Sequence, residues 1–514
     1  GCVKMKRESI GFVLDGATPL QFSFKVEKGL SIPLHEYVVV EIGEDRKVLA
    51  EVINVGSKNP LASERPAGET FVTDVYNYEV ATVEVLGYLD ENGKLSKPKI
   101  APKPNTIVYK ASDEELQKFY SSNEERIPLF IGTLLHRPNV KVPVFLQDLS
   151  FHLGVFAQTR GGKSYLAGVL IEEILTKTYF PVIVIDVHGD YVMMDRLVET
   201  NQKHNDFHVT IYYPPGAPKI FGVTAEDKEL KISLNQVEEE AFMDMLGRIG
   251  ELQEAALREI LEELKDSGKP FGFADVMEKV KEKIESQEVK AENKRRFESL
   301  YARMKDAEKD VKLPAEGLNL QEFLQPKTLS IICLRGLRSK VQDAYTAVIV
   351  DLIFNNQVKY FGKDLLKAPP TFLFIEEAHR VASKESSRYA VKALSTAIRE
   401  GAKFGLYLCL ISQRPRSISP EIMANIGNYA VLRITNNQDQ SIIESASESF
   451  SHRLIEDLPA LNQGEAVLVG PYVPIPAIVK TQKRRTVHFG ATPNLLEIQK
   501  RIINEIEKRR KEKW

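Results

Sequence analysis

The chain of 514 residues carries 69 Lys and Arg against 71 Asp and Glu, and 43% of it is hydrophobic. That length exceeds one hydrophobic core and predicts two to four domains; the balanced charge excludes a uniformly basic coat, so any basic surface must be local. Three scattered cysteines exclude a disulfide scaffold and favour a reducing cytoplasm, and with no secretory h-region or apolar run near ~18 residues no membrane partner is expected.

In chain order, residues 8 to about 100 hold short β-branched runs (Ile10–Val13, Phe22–Val26, Tyr37–Ile42, Val48–Val55 and Tyr78–Leu86) separated by Gly, Pro and Asp turns. They predict a small antiparallel barrel or sandwich serving assembly or docking. Ile100–Asn105, with two prolines, reads as a linker into the next domain.

Phe151–Ala157 reads as a buried strand and Ser164–Thr176 as a helix, with Leu166, Val169, Leu170, Ile174 and Leu175 at helical spacing. Between them, Ala157-Gln-Thr-Arg-Gly-Gly-Lys-Ser164 has the form of a phosphate-binding loop, with Ala in place of the first Gly. Gly161 and Gly162 let backbone N–H groups curl around phosphate oxygens at a helix N-terminus. Lys163 is expected to reach the β- and γ-phosphates and Ser164 to bind Mg²⁺. Thr159, Arg160, Gly161, Gly162, Lys163, Ser164 and Tyr165 make up the expected ATP-binding set, with Asp186 at its edge. A plain Gly turn before a helix is the alternative, and strand, loop and helix in this order disfavour it.

Pro181–Asp186 is a second buried strand, ending in Asp186-Val-His-Gly-Asp-Tyr191. From about Leu234 to Lys305 apolar residues recur at three and four, predicting a helical insertion. Strands resume at Thr328–Leu334, Phe372–Ile375, Leu406–Ile411, Ala430–Ile434 and Ala466–Val469. Thr371-Phe-Leu-Phe-Ile-Glu-Glu-Ala-His379 is a Walker B pattern: Glu376 is expected in the Mg²⁺ shell and Glu377 as the base for the attacking water. Gln413, ending the next strand, sits where a sensor would meet the γ-phosphate or the attacking water, a surface Ser-Gln turn being the alternative, and His188 reads equally well as structural or as part of the site. A last helix, 494–511, has Thr492 and Pro493 as a start signal.

Strands alternating with helices give an α/β fold: a P-loop (RecA/ASCE-like) ATPase core with an N-terminal small β-barrel and a helical insertion. The expected domains are 1–100 (barrel), 101–232 and 311–480 (core), 233–310 (insertion) and 481–514 (tail and helix).

With the barrel before the core, Ala157–Ser164, Asp186–Tyr191, Ile375-Glu-Glu-Ala-His379, Arg399-Glu-Gly-Ala-Lys-Phe-Gly405 and Ser412-Gln-Arg-Pro415, the chain resembles the HerA/FtsK group of ring-forming DNA translocases, specifically archaeal HerA. The resemblance implies a homohexamer acting on double-stranded DNA, a NurA-type nuclease partner in end resection, and a C-terminal tail bracing the neighbouring subunit. Two positions depart from the family pattern: Ala402 and Phe151 stand where arginines are expected. Arg399, Arg414 or Arg160 would then supply the transition-state charge, in cis or across the interface. The alternatives are a nucleotide-dependent switch or scaffold, or a HerA-like motor of a defence or DNA-transfer system.

Overall fold

A computed structural model describes residues 7–43, 46–59, 77–121, 125–447, 452–490 and 495–511. Cys2, Thr492 and Pro493 lie outside them. The chain divides into two compact units: residues 1–147 with 448–461 and 465–481, and residues 148–447 with 462–464 and 482–514.

In the first unit, Gln21–Val26, Ser9–Val13, Ile107–Lys110, Tyr37–Ile42, Arg46–Lys58 and Tyr78–Leu89 pair antiparallel in that order, and the last returns to the first to close a barrel. Closure leaves no exposed edge, and the alternating residues Phe22, Phe24, Val38, Val40, Val83 and Val85 fill the interior. The prolines at 102 and 104 therefore bridge two strands of one barrel. They do not link two domains, and the boundary expected near residue 100 falls inside this unit. Pro128–Leu134, Arg137–Phe145, Glu465–Val469 and Ala477–Thr481 form further antiparallel pairs here.

The second unit is built on parallel strands: β1 (Leu153–Phe156), β2 (Val182–Asp186), β3 (His208–Tyr213), β4 (Glu226–Glu229), β5 (Thr328–Cys333), β6 (Thr371–Ile375), β7 (Leu406–Ser412) and β8 (Asn428–Val431). Among the described residues they pair in the order β4-β3-β5-β2-β6-β7-β1-β8. Strands β1, β2, β5, β6 and β8 are buried at every position, as parallel strands covered on both faces must be. The β1 strand begins later than its apolar run suggests. Phe151 ends a 3-10 turn, and His152, at φ 63°, breaks the extended backbone while its Nδ1 accepts the Leu408 N–H at 3.0 Å. Burial takes the His152 pKa down to about 4, so the ring stays neutral and free to accept.

Helix α1 (Lys163–Lys177) follows β1, α2 (Ser339–Tyr360) precedes β6, and α3 (Arg388–Glu400) precedes β7. The expected insertion is present as Glu239–Met245, Glu251–Asp266, Phe273–Glu285 and Ala291–Ala307. Its helices bury Phe242, Leu257, Ile260, Phe273, Val276, Phe297 and Leu300 and leave their charged residues outward. The terminal helix α4 (Leu495–Lys511) leaves Ile498, Ile502 and Ile506 exposed. Among the described residues no helix is long and apolar enough to cross a membrane.

Candidate nucleotide-binding and hydrolysis site

The site forms where β1, β2, β6 and β7 end, because in a parallel sheet all strand C-termini open to one edge. Strand β7 lies between β1 and β6, so its polar end sits between the glycine loop and the acidic pair. The loop is tight. A Cβ on Gly161 would meet the Ala157 Cβ at 2.6 Å and the Gln158 carbonyl oxygen at 2.9 Å, which explains both the glycine and the small residue at 157. Gly162 takes φ 94° as the residue before α1, a conformation that favours glycine. Arg160 is exposed at φ 61°.

From the loop, Thr159 Oγ1 donates to Gln413 Oε1 at 2.6 Å, tying it to the end of β7. Ser164 Oγ lies 3.0 Å from Asp190 Oδ2 and 3.1 Å from Glu376 Oε1, as a donor to either. Burial drives the Lys163 pKa down, while Glu376, Glu377 and Asp190 hold it up, so its ammonium is drawn toward three carboxylates. Tyr191 Oη donates to Glu376 Oε1. Burial raises the Glu376 pKa to about 7, with Asp186 and Asp190 adding to the rise and Lys163 opposing it.

Asp186 plays a different part from the one its strand-end position suggests. It is wholly buried, and its two oxygens accept the backbone N–H groups of His188, Gly189, Asp190 and Tyr191 at 2.7–3.2 Å. Its carboxylate thus builds the turn, and the acid delivered to Ser164 is Asp190, which the sequence reading passed over. Tyr165 is likewise engaged away from the glycine loop: its hydroxyl accepts the Arg484 N–H at 2.8 Å, and its ring meets His488 edge-on.

Glu377 sits at φ 52°, a left-handed conformation that costs a non-glycine residue about 1–3 kcal/mol. Its carboxylate lies 3.5 Å from His188 Nε2 and 3.4 Å from His379 Nε2. Burial pushes its pKa up, but His188, His379 and Lys163 outweigh that and hold it below the usual range, so it is an ionised acceptor. Of the candidate arginines, Arg414 is exposed directly after Gln413, and its charge helps depress the His379 pKa. Arg399 on α3 pairs instead with Glu400 and Glu421.

These residues fit a magnesium nucleotide. The loop is a cradle that a Cβ at 161 would fill, and Ser164, Asp190 and Glu376 offer one hydroxyl and two carboxylates. Among the described residues no group of three or more His, Cys, Asp or Glu side chains forms a full metal cage. Such a sparse oxygen set suits Mg²⁺, which keeps waters and phosphate oxygens in its shell.

A family model described as "Helicase HerA, central domain" matches residues 129–353, which include the glycine loop, Asp190 and the helical insertion. The DNA double-strand break repair helicase HerA of Pyrococcus furiosus is 27% identical over 515 residues, covering 92% of each chain. That of Sulfolobus acidocaldarius is 27% identical over 521 residues, covering 97% of this chain and 98% of its own. Over nearly its whole length the chain is similar to these HerA helicases. The fold agrees: VirB4 of Thermoanaerobacter pseudethanolicus superposes with a TM-score of 0.52 at 17% identity, over 69% of this chain and 96% of its own. In this chain Phe151 packs against Gly427, where a Cβ would come within 2.8 Å of the Phe151 Cβ, and Ala402 lies in the 3-10 turn Gly401–Phe404 after α3. Neither position carries charge to the site.

Proposed function

We propose that the chain works as a homohexamer that hydrolyses magnesium-ATP to move along or unwind double-stranded DNA, in end processing beside a NurA-type nuclease. One observation carries the reading: side chains from four strand ends, Lys163, Ser164, Asp190, Glu376, Glu377 and Gln413, converge on a loop built for phosphate. Bound magnesium-ATP supplies the phosphoryl group and the negative charge that these residues neutralise. Lys163 balances the β- and γ-phosphates; Ser164, Glu376 and Asp190 hold the metal and its waters. Glu377, kept ionised, takes the proton of the attacking water, and Gln413, steadied by Thr159, orients that water. Arg414 and Arg399 are the cations left to stabilise the transition state, in cis or from a neighbouring subunit. The barrel serves as a docking module. Duplex DNA as the substrate is supported by the names of the relatives that match almost end to end.

The test is ATP turnover with and without duplex DNA, together with particle mass in solution and Lys163→Ala as the control. The reading expects a six-subunit mass, turnover raised by duplex, binding that weakens steeply with salt, and no turnover in the Lys163 variant. Turnover indifferent to duplex would replace the motor with a nucleotide-dependent switch.

A further inference from the structure

His379 is the third residue after Glu376 and begins a single turn of helix, His379–Ala382, beyond β6. A ring at such a place could serve as packing alone. Its two nitrogens argue otherwise. Nδ1 lies 3.0 Å from Ser412 Oγ, at the end of β7, and Nε2 lies 3.4 Å from Glu377 Oε2. Ser412 Oγ also accepts the Arg414 N–H at 3.0 Å. Ser412 is fully buried, so its own hydroxyl proton needs an acceptor, and the imidazole Nδ1 is the one at hand. That choice fixes the tautomer, because Nδ1 accepts and the single proton of a neutral ring must sit on Nε2, facing Glu377. Burial lowers the His379 pKa and so keeps the ring neutral.

The other imidazole beside Glu377 is not equivalent. The His188 side chain is 54% exposed, whereas that of His379 is 10% exposed. A half-exposed ring on a loop can swing away, while a buried ring bonded to Ser412 at Nδ1, with Nε2 set against Glu377, is held in place. The turn itself does not need the ring, since the Ala378 N–H already joins the Ile411 carbonyl at 3.0 Å. A carboxylate at φ 52° also needs something to hold it in place.

We propose that His379 is a positioning residue: its Nε2–H holds the Glu377 carboxylate in the orientation of the base, and Ser412 locks the ring so that this carboxylate is registered against the strand carrying Gln413. The proposal rests on the reading of Glu377 as the base. It assigns His379 no proton transfer, and its consequence is a site whose base and sensor move as one piece.

The test uses the full chain and four single variants: His379→Ala, His379→Asn, His379→Gln and Glu377→Gln. Asn can reach only toward Ser412, whereas Gln can present an N–H where Nε2 stood. Losing the polar contact to a charged carboxylate is expected to lower kcat about 10–100-fold in the Ala and Asn variants. The KM for ATP and nucleotide binding stay within about twofold, since the ring touches no phosphate-binding residue of the loop, and Gln restores part of the rate. Single-turnover rates in a Glu377→Gln background then decide the matter: adding His379→Ala there should change nothing further, because its target is already gone. Equal losses in both backgrounds, or a wild-type kcat in His379→Ala, would overturn the proposal. A loss of nucleotide binding or of thermal stability in all three His379 variants would reduce the ring to packing and overturn it too. Near-normal turnover in Glu377→Gln alone would instead remove the base assignment on which the proposal stands.

Discussion

Arg484 offers the sharpest perturbation outside the strand ends. It belongs to a segment, residues 484–490, that lies along α1 and leads toward α4. Its side chain is 1% exposed and fills the space over Gly168, where a Cβ would come within 2.6 Å of the guanidinium carbon. One terminal nitrogen bonds His488 Nδ1 at 2.8 Å; the other reaches Thr486 Oγ1 and the Val487 carbonyl at 3.3 Å. Its Nε is 3.8 Å from Glu172 Oε1, beyond hydrogen-bond length. Glu172 is satisfied instead by the backbone N–H groups of Arg485 and Thr486, at 3.2 and 2.9 Å. Arg484→Ala therefore leaves no orphaned carboxylate, and the loss falls at the lower end of the ~3–5 kcal/mol typical of a broken buried pair. About 3 kcal/mol, from lost hydrogen bonds and the cavity, is expected to appear as local opening of residues 484–490, which corresponds to roughly a 100-fold rise in their open population. Limited proteolysis of the full chain under conditions where opening is fast, with cleavage sites mapped by mass, reads that population directly. Gly168→Ala, attacking the same contact from α1, should open the same sites. Cleavage between 482 and 490 within threefold of wild type in Arg484→Ala would refute the argument.

Two further outcomes follow from single contacts. Asp190→Asn keeps a partner for Ser164 but removes a charge, so the Mg²⁺ concentration that half-saturates ATP turnover should rise about 10-fold or more; an unmoved midpoint would take Asp190 out of the cation site. In the first unit, His35 lies 3.0 Å from Glu51 and 3.3 Å from Asp457, and these partners, Asp457 first, raise its pKa to about 9 against burial. A raised folded pKa adds stability that is complete below about 6.5 and lost as pH climbs through 9, at most about 3 kcal/mol. Urea melts across that window should lose this slope in His35→Gln, and an unchanged slope would exclude the pair as its source.

What the sequence made legible was local. The glycine loop, the Walker B strand and the polar end of β7 each lie within a dozen residues, where turn chemistry and periodicity decide the structure. That these segments meet follows from parallel strands opening at one edge. The misreadings share a different cause. Asp186 and Asp190 stand in one short segment, and which of them reaches Ser164 depends on the turn claiming the other's oxygens with four backbone N–H groups. Helical spacing placed Tyr165 on α1 but could not say that a segment from the far end of the chain takes its hydroxyl. The proline run at 102 and 104 carries the composition of a linker, yet another strand of the barrel, Ile107–Lys110, comes after it.

The same non-local contacts connect the end of the chain to the site. Glu172 and Arg485 are 313 positions apart in sequence, yet they join α1 to the segment before α4. That segment continues along the other side of the site: the Val487 N–H meets the Arg196 carbonyl at 2.9 Å, and the Phe489 N–H approaches the Asp190 carbonyl at 3.4 Å. One stretch of backbone therefore touches both the helix that begins at Lys163 and the loop that carries Asp190. Residues 484–490 thus tie α1 to the loop that carries Asp190, one of the two carboxylates beside Ser164. Arg484, buried over Gly168 within this segment, is the residue whose removal is expected to loosen it from α1.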